Sequence, residues 1–113
     1  MEKCECPIET IAQILGSKWV ILILRDMFQG KTRFNEFLAS NDKLHNKVLA
    51  SKLKQMQDDG LVERKTSKDS LDIVYELTPL GRSFKPAFME LAQLGKKYCA
   101  KETDFMRFVE KME

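Results

Sequence analysis

Three observations predict a mainly α-helical chain with a small β-wing. Residues 45–59 place Leu49, Leu53 and Met56 at i, i+4 and i+7, which is a helix with one apolar face. Asp59-Gly60 stops that helix, and two strand-forming stretches follow: Leu61-Val62, then Ile73-Val74-Tyr75 within a second strand over 71–77. Lys65 to Asp72 is the polar tip between them. A helix leading straight into a basic two-stranded ribbon is the layout of a winged helix-turn-helix. In that layout the helix enters a DNA major groove and the ribbon touches the flanking backbone.

The remaining elements follow from caps and spacing. Cys6-Pro7-Ile8-Glu9 opens a first helix, with Pro at the first position and an acid in the first turn; Ile8, Ile11, Ile14 and Leu15 recur at helical spacing. Gly16-Ser17 breaks it, and Ser17 caps a second helix over 18–28. Trp19 to Leu24 is apolar without interruption, so this helix is expected at the centre of the core. Gln29-Gly30-Lys31 ends it. Thr32 caps a short third helix over 33–39 that buries Phe34, Phe37 and Leu38, and 41–44 form a turn. After the ribbon, Thr78-Pro79 starts one long helix with Phe84, Phe88, Leu91 and Tyr98 on its apolar stripe. Pro86 inside it predicts a kink. A further short helix is expected over 104–113. The order is four helices, two strands, one helix. The N- and C-terminal helices carry more apolar surface than one small core buries, so they are expected to form a dimer interface.

At 113 residues the chain is long enough for a single domain over 1–113, and 32% charged with 43% hydrophobic residues is an ordinary globular balance. The net charge of +2 is unevenly spread. Residues 31–68 hold nine Lys/Arg against five acids, net +4, and the rest hold ten against twelve, net −2. The positive excess therefore lies on the segment expected to meet phosphate. The charged N-terminus lacks the apolar run of a signal peptide, and Trp19 to Leu24 is too short to span a bilayer, so a cytoplasmic protein without a membrane partner is expected. Three cysteines make no disulfide framework. His45 is the only histidine and has no neighbouring ligands at metal-binding spacing, so neither metal nor cofactor is expected. No phosphate-binding Gly-rich loop, catalytic carboxylate pair or Ser/His/Asp set points to an enzyme.

The residues expected to meet DNA are His45, Asn46, Lys47, Ala50, Ser51 and Lys54 on the fourth helix, away from its apolar stripe. Lys and Asn reach base edges or phosphate, Ser reaches either, and Ala meets a thymine methyl. Arg33 is expected at a phosphate beside the start of the third helix, and Arg64, Lys65 and Lys68 on or beside the wing supply backbone contact. Cys6 is the chemical candidate. A helix N-terminus favours its thiolate, as does Lys3, while Glu5 and Glu9 oppose it. Cys4 is too near in sequence to close a relaxed disulfide with Cys6, which leaves an intersubunit partner or Cys99.

These motifs in order, Cys6-Pro7-Ile8-Glu9, Gly16-Ser17-Lys18-Trp19, Gly30-Lys31-Thr32-Arg33-Phe34-Asn35-Glu36, Lys47-Val48-Leu49, Asp59-Gly60-Leu61-Val62 with Arg64, Tyr75-Glu76-Leu77-Thr78-Pro79-Leu80-Gly81 and Pro86, resemble the HxlR-type transcriptional regulators, a MarR-like branch of winged-helix proteins. The resemblance covers roughly 6–97. It implies a homodimer built from the terminal helices, with recognition helices in successive major grooves of a pseudo-palindromic operator in double-stranded DNA. It also implies that Cys6 matches a cysteine that some members use to sense oxidants, electrophiles or aldehydes. Two positions depart from the family pattern. Leu44-His45 stands where Ile-Ser is common, so the serine cap is absent, and Leu94-Gly95 stands where Trp-Gly is common. The expected function is a sequence-specific DNA-binding regulator, a repressor at rest, with a small oxidant or electrophile as effector. The alternative is a winged-helix protein-interaction module that does not bind DNA.

Overall fold

The computed structural model describes residues 6–69 and 71–99. Helix α1 runs Pro7–Ile14, α2 Lys18–Phe28, α3 Phe34–Ser40 and α4 Asn46–Asp58. The strands are β1 Val62–Thr66 and β2 Ile73–Leu77, and the chain continues through α5 Pro79–Arg82 and α6 Lys85–Lys96. This is a winged helix-turn-helix. The expected helix over 104–113 lies outside the described residues, as do Lys3, Cys4 and Glu5.

The caps act as the sequence predicts at two of the joints. Ser17 accepts a bond from the Trp19 amide at 3.2 Å to open α2, and Thr78 accepts from the Gly81 amide at 3.0 Å to open α5. Gly60 takes φ +78, the left-handed conformation that turns the chain out of α4 into β1. Thr78 ties this corner together from the other side, donating its hydroxyl to the Gly60 carbonyl. Its amide also donates to the Leu61 carbonyl at 3.0 Å.

The core is one cluster: Val20, Ile23, Leu24 and Met27 of α2, Phe37 of α3, Leu49, Leu53 and Met56 of α4, Leu61, Val62 and Tyr75 of the wing, and Phe88 of α6. All three residues of the α4 stripe are buried. Phe88 meets Phe28 edge-on at 5.2 Å, which fixes α6 against the end of α2.

Five expectations are corrected. First, α2 is not buried all round: Ile21 stays exposed, and Trp19 and Leu22 are half-buried. Its polar end is instead drawn inward, with Asp26 fully buried. Second, α3 begins at Phe34 with Arg33 as its cap residue, because the Glu36 carboxylate accepts from the amides of Thr32 and Arg33, at 3.1 and 2.9 Å. Third, α4 starts at Asn46; His45 is its cap residue, with no side-chain cap bond. Fourth, the wing tip is shorter. The ladder runs from Val62↔Leu77 to Thr66↔Ile73, so Lys65 is in β1 and Leu71 is outside β2, with φ +60 in the turn. Bonds from Ser67 N–H to the Asp72 carbonyl (2.7 Å) and from Leu71 N–H to the Ser67 carbonyl (3.1 Å) close that turn.

The fifth correction concerns the last helix, which is two helices and not one kinked helix. The chain breaks at Ser83-Phe84, and Pro86 falls in the first turn of α6, where the amide it lacks would have had no intrahelical acceptor. Among the described residues no single helix is long and apolar enough to cross a membrane.

Candidate nucleic-acid interface

Burying Leu49, Leu53 and Met56 forces the opposite side of α4 outward, because side chains three and four residues apart share a face. Lys47, Ala50, Ser51 and Lys54 form an exposed stripe at i, i+3, i+4 and i+7, with His45 and Asn46 exposed at its start. Behind the stripe α4 packs on α2, α3 and β1, so a rigid scaffold presents it.

The turn that delivers the chain to α4 is held by a polar network that the sequence reading missed. Asn41, at the end of α3, is buried. Its amide nitrogen donates to the Phe37 carbonyl at 2.8 Å and to Asp26 Oδ2 at 3.0 Å. Its carbonyl oxygen accepts from the Arg25 guanidinium at 3.1 Å, and Arg25 also pairs with Asp26 Oδ1 at 3.0 Å. Lys31 reaches the same carboxylate at 4.0 Å and donates to Ser40. A buried carboxylate is tolerated there because partners surround it. The signal in the sequence was weak: Asp26 follows Arg25 at the end of an apolar run, and Asn41 looks like any turn residue.

The wing is basic but partly self-neutralised. Lys65 lies between Glu76 at 2.9 Å and Glu63 at 3.5 Å, and hydrogen bonding to Glu76, more than any other cause, raises its pKa above the usual lysine value. Arg64 stands opposite Tyr75 and is exposed, as is Lys68 at the tip. Lys54 pairs with Asp58 one turn on, at 2.9 Å, a spacing legible in the sequence. Arg33 is held by Asp72 at 2.6 Å, across 39 positions, where no local pattern could have shown it. Among the described residues Lys47, Arg64 and Lys68 form no ion pair. All ten residues expected at DNA are therefore exposed, and three of their cations already have acidic partners.

The Thr32 and Arg33 amides that lead into α3 are taken by the Glu36 carboxylate. The Thr32 N–H bond, its largest cause, lowers the Glu36 pKa; burial opposes the shift, and the Arg33 amide and the charges of Arg33 and Lys31 reinforce it. Cys6 is the half-buried cap residue of α1, and Cys99, beyond α6, is exposed. Among the described residues no cluster of His, Cys, Asp or Glu could hold a metal ion.

The model of the HxlR-like helix-turn-helix family matches residues 14–103. The chain belongs to the HxlR family. This HxlR protein is 34% identical over 94 residues to the HTH-type transcriptional regulator YdeP of Bacillus subtilis, covering 82% of this chain and 73% of YdeP. Among solved structures it is similar to the transcription factor PA1607, with TM-score 0.82 and 30% identity over 90% of this chain and 72% of that one. It is also similar to the redox regulator HypR in its reduced form, with TM-score 0.74 and 28% identity over 81% of this chain and 92% of HypR. The HxlR protein is thus a DNA-binding transcriptional regulator of the helix-turn-helix type, and not an enzyme.

Proposed function

We propose that the chain acts as a homodimeric repressor that reads a pseudo-palindromic operator through α4 and steadies itself through the wing. The α4 surface carries this reading: Lys47, Ala50, Ser51 and Lys54 make one exposed stripe on a helix whose other side is locked into the core. His45 and Asn46 lie where the end of a recognition helix meets the groove wall. On the wing, Arg64 and Lys68 carry the contact with the backbone, since the charge of Lys65 is engaged by two carboxylates. The whole chain works as one DNA-binding unit, in the cytoplasm.

The dimer reading rests on exposed apolar side chains on the outer helices. Ile8 and Ile11 of α1, and Leu91, Leu94 and Tyr98 on and just after α6, are all exposed, Tyr98 at 91% and Ile8 at 76%. Joining these surfaces in a two-fold dimer takes them out of water and pairs two copies of α4 with two half-sites. Cys6 caps α1 beside this surface, so an oxidant or electrophile that modifies it acts on the dimer element. The likeness to HypR, a redox regulator with reduced and oxidised structures, supports a thiol-based response.

The test is an operator selected from a random DNA pool, followed by Lys47→Ala with Ser51→Ala. Direct base contacts are worth ~1–3 kcal/mol each. The double variant is expected to lose operator affinity by orders of magnitude and non-specific affinity only a few-fold. Equal losses on operator and random DNA would show that α4 holds phosphate alone.

A further inference from the structure

Arg33 was expected at a phosphate, yet its guanidinium is already bound to Asp72 at 2.6 Å. Asp72 lies at the point where the wing returns from its tip to β2, and Arg33 is the cap residue of α3. One residue earlier, the Thr32 carbonyl accepts from the Tyr75 amide at 2.8 Å, a backbone bond between the same two parts of the chain. Glu36 fixes this corner from the helix side through the Thr32 and Arg33 amides. The start of α3 is therefore a hinge plate for the wing. A backbone bond holds the middle of β2, at Tyr75, and an ion pair holds Asp72, just before the strand.

We infer that Arg33 is a positioning residue: with Asp72 it sets the angle of the wing against the helix-turn-helix unit, so that Arg64 and Lys68 arrive at the flanking DNA already aimed. This rests on the reading of α4 and the wing as the DNA surface. The physical effect is on the population of binding-competent wings. Without the tether the two-stranded ribbon samples more orientations, and apparent affinity falls by the fraction that remains competent. Both side chains are about half exposed, at 46% and 55%, so the pair is a solvent-screened one and the effect is bounded. Exposed pairs of this kind change an equilibrium by up to about fivefold.

The two roles open to Arg33 predict opposite signs at Asp72. If Arg33 bound phosphate, Asp72 would compete with the DNA for it, and removing the carboxylate would strengthen binding. If the pair is a tether, removing either partner weakens binding by the same factor. The experiment measures affinity of the full chain for its selected operator at fixed salt, for wild type, Arg33→Gln, Asp72→Asn, Asp72→Ala and the Arg33→Gln/Asp72→Asn double variant. The expected result is a loss of roughly two- to fivefold in each single variant, with the double no weaker than either. On a duplex trimmed of the flanking base pairs all five should bind alike, which a general loss of folding would not produce. Tighter binding by either Asp72 variant, or no change in any, would overturn the tether while leaving the DNA-binding surface intact. Wild-type protein that selects no operator at all would overturn both.

Discussion

Replacing Asn41 by Ala should destabilise the protein by about 3 kcal/mol, and the value follows from three bonds. The side chain satisfies the Phe37 carbonyl at 2.8 Å, Asp26 Oδ2 at 3.0 Å and the Arg25 guanidinium at 3.1 Å. Removing it strips one partner from a carboxylate whose side chain is 1% exposed. Breaking a buried charged pair outright costs about 3–5 kcal/mol, and orphaning one buried carbonyl costs about 1–3. Asp26 keeps Arg25 at 3.0 Å, so the lower end applies. For a chain of this size that corresponds to a fall of roughly 10–15 °C in melting temperature. Urea unfolding at neutral pH reads it as a shift in midpoint at unchanged slope. Asn41→Asp should be worse at neutral pH, because it sets a second carboxylate against Asp26. A midpoint for Asn41→Ala within the roughly 0.5 kcal/mol of an ordinary surface change would refute the reasoning. The network would then be decoration on a turn held by Leu44 and Phe37 alone.

Three other outcomes are expected. Gly81→Ala places a methyl against the Leu61 carbonyl oxygen, a backbone atom, so α5 and the residue leading into β1 must part; a loss of about 1–3 kcal/mol in thermal unfolding is expected, and an unchanged melting curve would exclude that close approach. The Glu36 carboxylate has its pKa lowered below the usual 4.5, so the stability it contributes is complete above that value and disappears as pH falls through the lower, folded value. Glu36→Gln should therefore weaken the protein at neutral pH and flatten its acid-unfolding limb, and parallel acid limbs would contradict the assignment. Cys6→Ser should bind the operator as wild type does but ignore a mild peroxide or thiol-directed electrophile. If that variant still responds and Cys99→Ser does not, the responsive thiol is Cys99.

Local rules carried most of the fold. Helix α4 was legible because Leu49, Leu53 and Met56 repeat at helical spacing and Gly60 ends the run, and all three are buried. The wing was legible because Gly60 and the polar tip bracket two β-branched stretches. Reading failed where distant partners decide. Nothing near Asp26 announces that Asn41, fifteen positions away, will accept it into the core. The Arg33–Asp72 pair is further apart still, so the sequence reading left Arg33 available for phosphate. The Pro86 error has a different cause. Proline ends one helix and begins another with equal ease, and the deciding factor was the Ser83-Phe84 turn, which follows α5 after only four residues.

On the proposed thiol response, these joints also determine how a change at Cys6 would reach DNA. An operator with half-sites one helical turn apart requires recognition helices spaced by about 34 Å. The protomer measures 42 × 37 × 27 Å, so on the dimer reading two copies are of a size suited to that spacing. Within each protomer α4 is fastened by buried apolar contacts and by the Asp26–Asn41 network, and the wing by Thr78 and by Arg33. The DNA-reading unit therefore moves as a body. Helix α1 is lightly fastened to the core: only Ile14 is buried, while Ile8 and Ile11 face out. On the dimer reading, chemistry at Cys6 shifts α1 against the partner subunit and leaves each reading head intact. The operator would then respond to a changed spacing between heads, and a coupling of ~1–3 kcal/mol suffices to alter occupancy several-fold or more. That separates two kinds of variant. Changes at Asn41 or Arg33 should weaken DNA binding with and without oxidant, whereas Ile8→Ser and Ile11→Ser should loosen the dimer and blunt the response to oxidant while leaving the binding of each head to an isolated half-site unchanged.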